Sequence, residues 1–104
     1  MASCQQPKLD SNQLTGTYAA QCCGTINVKD DVISLRGELP VRFSFRRDNV
    51  GYFILPQNKI GVKGGAVVKL AGDPTYIRVT GGDDSLILAV EDESRDELHY
   101  FSRQ

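Results

Sequence analysis

The sequence predicts a small all-β domain. Short apolar runs recur from Leu14 to Phe101, and almost every run ends at Gly, Asn, Asp or Pro. The 104 residues include ten glycines, which suit tight turns with positive φ. A long apolar stripe with the 3.6-residue period of an amphipathic helix is absent. Short apolar runs with turns about every 8–12 residues are typical of a β-barrel or a β-sandwich.

The chain opens with a polar segment, which three predicted strands follow. Residues 1–13 are polar and are predicted to be a flexible tether, so the β-domain is expected to span 14–104. Residues 14–18 are β-prone and form the first predicted strand. The segments 25–28 and 32–36 flank the polar turn 29–31, which predicts a β-hairpin.

The clearest strand pattern lies at residues 41–46. This segment alternates between apolar and polar side chains, with Val41, Phe43 and Phe45 on one face and Arg42, Ser44 and Arg46 on the other. Such alternation predicts a strand with one buried face, so the apolar set should face the core. Residues 47–49 form a turn into a further strand at 50–55, which ends at Pro56.

The second half of the chain continues the alternation of strand and turn. The predicted strands are 59–63, 66–71, 76–80, 85–90 and 98–102, with glycine pairs in two of the turns between them. From these segments we predict one domain with a barrel of about eight or nine short strands. A closed or nearly closed antiparallel barrel is favoured, because closure removes exposed strand edges. A β-sandwich is the alternative fold.

Two short segments resemble known protein families. The run Leu14-Thr15-Gly16-Thr17-Tyr18 resembles the opening of lipocalin-like barrels and small bacterial envelope lipoproteins, in which such a segment leads into the first strand. Met1-Ala2-Ser3-Cys4 resembles the end of a bacterial lipoprotein signal, where small residues precede a cysteine that becomes lipidated. The resemblance implies a lipocalin-like barrel held on the periplasmic side of the cell envelope by a lipid on Cys4. An incidental Cys4 in a cytoplasmic protein is the alternative.

The cysteines are the most suggestive polar residues of the chain. Cys22 and Cys23 are adjacent, and we expect no disulfide between them because a ring that joins neighbouring residues is strained. A bridge from Cys4 to one of them stays open in an oxidising compartment. The favoured state is one thiol in the core and one at the surface. With a single histidine, this spacing does not match the usual zinc motifs, and we predict no metal and no cofactor.

His99 is the only histidine and is predicted to lie at the surface or rim of the last strand. The sequence around it places no nucleophile on a sharp elbow, and no orienting carboxylate can be identified. The acidic pairs lie in predicted turns, where aspartate bonds to the local backbone. We therefore expect that the protein is not an enzyme, with an enzyme of an unrecognised class as the alternative.

Charge gives little indication of a nucleic-acid partner. The formal net charge is −1, so no overall field attracts polyanions or anionic membranes. Basic and aromatic residues that are candidates for one binding surface are Arg42, Arg46, Tyr52 and Tyr76. On a small barrel this combination is compatible with nucleic-acid binding, but a nucleic-acid-binding protein usually shows a basic excess.

Together these observations favour a non-enzymatic binding module of the bacterial envelope. A small barrel offers a mouth for a small apolar ligand, or loops for a protein partner. Inhibition of a secreted or periplasmic hydrolase is one specific form of this function. A cytosolic nucleic-acid-binding or structural barrel is the alternative, and membrane contact is expected only through a lipid anchor at Cys4.

Overall fold

The structure is a computed structural model that describes residues 11–81, 85–94 and 96–104. Within this part of the chain lie one short 3₁₀ helix and ten strands. The elements are the 3₁₀ helix Ser11–Leu14, then β1 (Gly16–Ala20), β2 (Gly24–Lys29), β3 (Val32–Leu35), β4 (Val41–Arg47), β5 (Tyr52–Pro56), β6 (Lys59–Lys63), β7 (Ala66–Leu70), β8 (Ile77–Thr80), β9 (Ile87–Glu91) and β10 (Leu98–Arg103). None of the helical residues described here forms a segment long and apolar enough to cross a membrane.

Eight of these strands close an antiparallel barrel in the order β1-β10-β9-β8-β5-β4-β3-β2. Strands that are neighbours in sequence pair with each other, except that β5 pairs with β8. The barrel closes where β1 pairs with β10, with Tyr18 opposite Arg103 and Ala19 opposite Ser102. The all-β barrel prediction is confirmed, and closure decides against the β-sandwich. Strands β6 and β7 form a separate two-stranded sheet.

The turn between β2 and β3 shows how local sequence sets the strand register. Asp30 and Asp31 have φ values of 54° and 62°. A two-residue hairpin turn of type I′ requires positive φ at both central residues, and aspartate tolerates that conformation better than most side chains. The turn places Lys29 opposite Val32, which aligns the rest of the hairpin.

Alternating side chains from all eight barrel strands fill the interior. In β4, Val41 and Phe43 are buried and Phe45 is half-buried against the core, as its sequence pattern predicts. Interior-facing side chains of an eight-stranded barrel are large enough to fill its lumen. The largest fully buried side chains include Tyr18, Phe101, Leu14, Ile26, Ile33, Ile54, Ile60, Ile77, Leu86 and Leu88.

The 3₁₀ helix fixes the start of the described chain to the barrel. Leu14 is fully buried, and the hydroxyl of Tyr18 donates a hydrogen bond to the Leu14 carbonyl at 2.8 Å. Burial raises the pKa of Tyr18. The 3₁₀ helix begins at Ser11 and so covers residues 11–13 of the predicted tether. The rest of the predicted tether, with the candidate lipid site Cys4, lies outside the described residues.

The hairpin β6–β7 covers one end of the barrel, which we call the capped end. This end also carries the β1–β2 turn at residues 21–23 and the segment 92–94 that follows β9. The Val67 amide donates to the Cys23 carbonyl at 3.0 Å, and the Glu93 amide donates to the Val62 carbonyl at 2.8 Å. Ile60, Val62 and Val67 are buried within the barrel core, so the hairpin extends that core.

Candidate functional site

A disulfide joins the neighbouring residues Cys22 and Cys23 in the β1–β2 turn. The expectation that these cysteines stay unbonded is therefore wrong. Successive side chains of a strand point to opposite faces, which would keep adjacent sulfurs apart. Residues 21–23 form a turn instead, and the turn allows both side chains to reach the same side. Cys23 is buried, whereas Cys22 is exposed.

His99 lies directly beside this disulfide, at the start of β10. Its Nδ1 atom is 3.5 Å from Cys22 Sγ and 3.8 Å from Cys23 Sγ. Along β10, His99 lies on the same face as the fully buried Phe101, so its ring occupies the rim of the barrel interior. Only 16% of the side chain is exposed.

Asp92 contacts Nε2, the other ring nitrogen of His99. Its Oδ1 atom is 3.1 Å from His99 Nε2, and its Oδ2 atom accepts a hydrogen bond from the Ser94 amide at 3.1 Å. The hydrogen bonds from Ser94 and then from His99 hold the pKa of Asp92 below its ordinary value. An ionised carboxylate only accepts hydrogen bonds, so Nε2 is the donor to Asp92. In the neutral imidazole with this tautomer, the lone pair of Nδ1 faces the sulfurs. We call Cys22, Cys23, His99 and Asp92 the cysteine cluster.

Asp92 is an orienting carboxylate for His99 that local sequence motifs do not reveal. The register of the β9–β10 hairpin explains why the two residues meet, because His99 lies opposite Val90 and Leu98 lies opposite Glu91. Asp92 therefore follows the last paired residue of β9, diagonal to His99. Cys22 is 77 residues away from His99 in sequence, and only closure of the barrel brings the two together.

Of the four candidate basic and aromatic residues, three lie on the outside of the barrel, whereas Tyr52 faces the core. Arg42 and Arg46 are exposed on the outer face of β4, and Arg46 lies opposite Phe53 of β5. Tyr76 packs on Phe53 with ring centroids 4.5 Å apart, so Arg46 and Tyr76 border the same outer region. Tyr52, by contrast, packs against the core. The strand alternation of β5 places Tyr52 and Phe53 on opposite faces.

An apolar groove lies on the outside of the barrel near the capped end. Its volume is about 680 Å³, which falls in the range of ligand sites, about 300–1,000 Å³. Because β8 begins only at Ile77, residues 74–76 border the groove in place of a strand. This outer groove is lined by Leu55, Pro74, Thr75, Tyr76, Arg78, Ala89, Glu91 and Leu98.

Arg78, the one basic side chain among the described residues that line the outer groove, is already paired. Arg78 donates two hydrogen bonds to the Asp48 carboxylate, at 3.0 and 3.1 Å. These bonds, together with the amides of Val50 and Gly51, lower the pKa of Asp48 to about 2. The guanidinium also lies over the Phe53 ring, 5.4 Å from its centroid. The ion pair balances the positive charge of Arg78 and leaves a largely apolar surface beside it.

Two places in the described residues therefore bring chemically distinctive side chains together. At the capped end, the cysteine cluster combines two sulfurs, an imidazole and a carboxylate. On the outer face, the groove combines aromatic and aliphatic side chains.

Comparisons with protein-family models, with curated proteins and with solved structures give no significant match to this chain.

Proposed function

We propose that this protein is a non-enzymatic binding module that recognises an apolar segment of a partner protein through the outer groove. The observation that carries this proposal is the exposure of three large apolar side chains around the groove. Tyr76 is 57% exposed, Leu98 47% and Tyr100 58%. Tyr100 lies opposite Ala89 of the groove floor, so these side chains belong to one face. Contiguous exposed apolar surface of this kind marks interaction sites.

The packing of the barrel interior favours the outer groove over the barrel mouth as the binding site. Tyr18, Ile54 and Phe101 fill the lumen and are fully buried. Ile60 of the hairpin β6–β7 adds to this core at the capped end. A small apolar ligand would have to displace these side chains in order to enter the barrel, whereas the outer groove is accessible as it stands.

The chemistry of the groove favours an aromatic or branched aliphatic segment as its occupant. Leu55, Ala89 and Leu98 offer aliphatic surface, and Tyr76 offers a ring with a polar edge. Aromatic residues with this combination are enriched at protein interfaces. An anionic ligand is disfavoured, because Arg78 is held by Asp48.

We also propose that a lipid on Cys4 attaches the module to the bacterial envelope. The support is the small residues Ala2 and Ser3 before Cys4, and the polar composition of the segment that follows. Five residues of β1, about 17 Å of strand, separate Ser11 from the β1–β2 turn. The described chain therefore starts at the barrel end opposite the capped end. A tether from Cys4 would therefore join the barrel at the end away from the outer groove.

The groove is tested with a peptide library displayed on phage and selected against the full chain. We expect the enriched peptides to share an aromatic or branched aliphatic motif. The substitution Leu98→Asp should weaken their binding by about tenfold or more, or about 1.4 kcal/mol, because it places a charge against the apolar contact. Isothermal titration calorimetry with a synthetic peptide from the selection measures the change.

A matched control for this experiment is Leu39→Asp. Leu39 is 75% exposed between β3 and β4 and does not line the groove, so the same change should leave peptide affinity unaltered. Chemical-shift changes on peptide binding should concentrate at Leu55, Tyr76 and Ala89. Enriched peptides that bind Leu98→Asp as tightly as the unaltered protein would contradict the proposal, as would a preference for small apolar compounds alone.

Lipid attachment is tested by cell fractionation. We expect the protein, expressed with its native upstream sequence in a bacterium, to sediment with membranes, because several acyl chains anchor a protein stably. Cys4→Ser should move it to the soluble fraction or block its maturation. Cys22→Ser keeps Cys4 and should leave the protein in the membrane fraction. Recovery of the unaltered protein in the soluble fraction would rule out the anchor.

A further inference from the structure

We propose that the cysteine cluster is a redox-controlled metal site. When the Cys22–Cys23 disulfide is reduced, the two thiolates and His99 Nδ1 bind one thiophilic divalent ion, of which Zn²⁺ is the representative. In the oxidised protein, the sulfurs are bonded to each other and the site is closed. The metal site would lie at the capped end of the barrel and would need neither the outer groove nor a lipid at Cys4.

The distances around His99 already match a metal site. Nδ1 lies 3.5 and 3.8 Å from the two sulfurs. In tetrahedral zinc sites, Zn–S bonds of about 2.3 Å and Zn–N bonds of about 2.0–2.1 Å separate nitrogen from sulfur by about 3.5 Å. Two thiolates on the same ion lie about 3.8 Å apart. To bind a metal ion, the two sulfurs mainly need to move apart. Reduction of the disulfide permits this movement.

The orientation of His99 is that of a metal ligand. Histidines that bind metals usually donate their other ring N–H to a carboxylate, which fixes the tautomer and raises the basicity of the ligating nitrogen. Asp92 occupies this position, 3.1 Å from Nε2. Asp92 thus serves as a positioning residue, and the ligating groups are Cys22, Cys23 and His99.

The surroundings of the cluster suit both reduction and metal capture. Cys22 is exposed, so a reductant can reach its sulfur from solvent. Cys23 is 3% exposed, and its carbonyl accepts a hydrogen bond from Val67 of the hairpin β6–β7. Three protein ligands leave a fourth position for water.

The arrangement also resembles the relay of a nucleophilic cysteine, in which a carboxylate orients a histidine that activates one thiol. Here two sulfurs converge on a single ring nitrogen. One thiol would be enough for a nucleophile, whereas a second sulfur at the same nitrogen adds a metal ligand. Chelation is therefore the function that uses every group of the cluster.

The chemistry balances with a dithiol reductant. A thiolate of the reductant attacks the exposed sulfur of Cys22, and Cys23 leaves as a thiolate. The second thiol of the reductant then attacks the mixed disulfide, which frees Cys22 and converts the reductant to a cyclic disulfide. The protein gains two electrons and two protons, and the bond between the sulfurs breaks. When the metal ion binds, both thiols lose their protons to the solvent.

The test uses the full chain with Cys4→Ser, so that only Cys22 and Cys23 contribute thiols. One sample is reduced with a phosphine that is then removed without oxygen, and the other is left oxidised. Zn²⁺ alone is the probe, and its affinity is measured by competition with a chromophoric chelator. We expect one Zn²⁺ per reduced chain, bound about 100-fold or more tightly than by the oxidised chain. Co²⁺ should show thiolate-to-metal charge-transfer absorption only with the reduced protein.

Three further substitutions separate the roles in this background. Cys22→Ser removes an exposed ligand and should abolish both the redox dependence and the charge-transfer band. Asp92→Asn should weaken Zn²⁺ binding by about 10–100-fold, because His99 remains a ligand but loses the charged carboxylate that orients its ring. Asp96→Asn changes an exposed carboxylate in the same loop and should have no effect. Equal Zn²⁺ affinity in the reduced and oxidised chains, or unchanged binding by Cys22→Ser, would overturn the proposal.

Discussion

Replacement of Phe101 with alanine is expected to lower the free energy of unfolding by about 3–5 kcal/mol. Phe101 is fully buried in β10, the strand that closes the barrel between β1 and β9. Loss of the ring removes apolar burial and leaves a cavity that barrel strands on both sides cannot easily fill. Denaturant titration measures the change, and the melting temperature should fall by about 4–8 °C per kcal/mol.

The neighbouring residue provides the control for this prediction. Tyr100 is 58% exposed on the outer face of the same strand, so Tyr100→Ala should alter the free energy of unfolding by about 0.5 kcal/mol or less. Both variants keep the backbone hydrogen bonds of β10. Equal losses of stability in Phe101→Ala and Tyr100→Ala would contradict the assignment of Phe101 to the inward face of β10 and of Tyr100 to its outward face.

The second large effect is expected from Ile60→Ala in the hairpin β6–β7. Ile60 is 1% exposed and packs within the barrel core, although its hairpin lies outside the barrel sheet. We expect a loss of about 2–5 kcal/mol in the free energy of unfolding of the whole domain. Hydrogen exchange should show faster exchange of the most protected barrel amides, because hairpin and barrel share one core.

Lys63→Ala is the matched control, because Lys63 is exposed at the end of β6. It should leave both the global stability and the exchange of the barrel amides nearly unchanged. If Ile60→Ala speeds exchange in the hairpin alone, while barrel stability stays constant, the hairpin is a separate flap and not part of the core.

Local pattern in the sequence was enough to predict most of the strands. The alternation of residues 41–46 predicts both the strand and its buried face, and the structure confirms Val41 and Phe43 as core residues. The polar turn at 29–31 predicts the hairpin that Asp30 and Asp31 form with positive φ. These features depend on the period of the side chains and on turn chemistry, which act over a few residues.

The order of the strands and the contacts of the cysteine cluster depend on pairing between residues that are far apart in the sequence. The predicted segments 59–63 and 66–71 carry the pattern of ordinary strands, but β5 pairs with β8 and leaves their hairpin to cap the barrel. The cysteine cluster depends on the same kind of contact, because Cys22 meets His99 across 77 residues and Asp92 reaches it through hairpin register. The sequence by itself thus determined an all-β domain with alternating faces. Only the tertiary structure decided which distant side chains meet, because closure of the barrel, and not local periodicity, sets those distances.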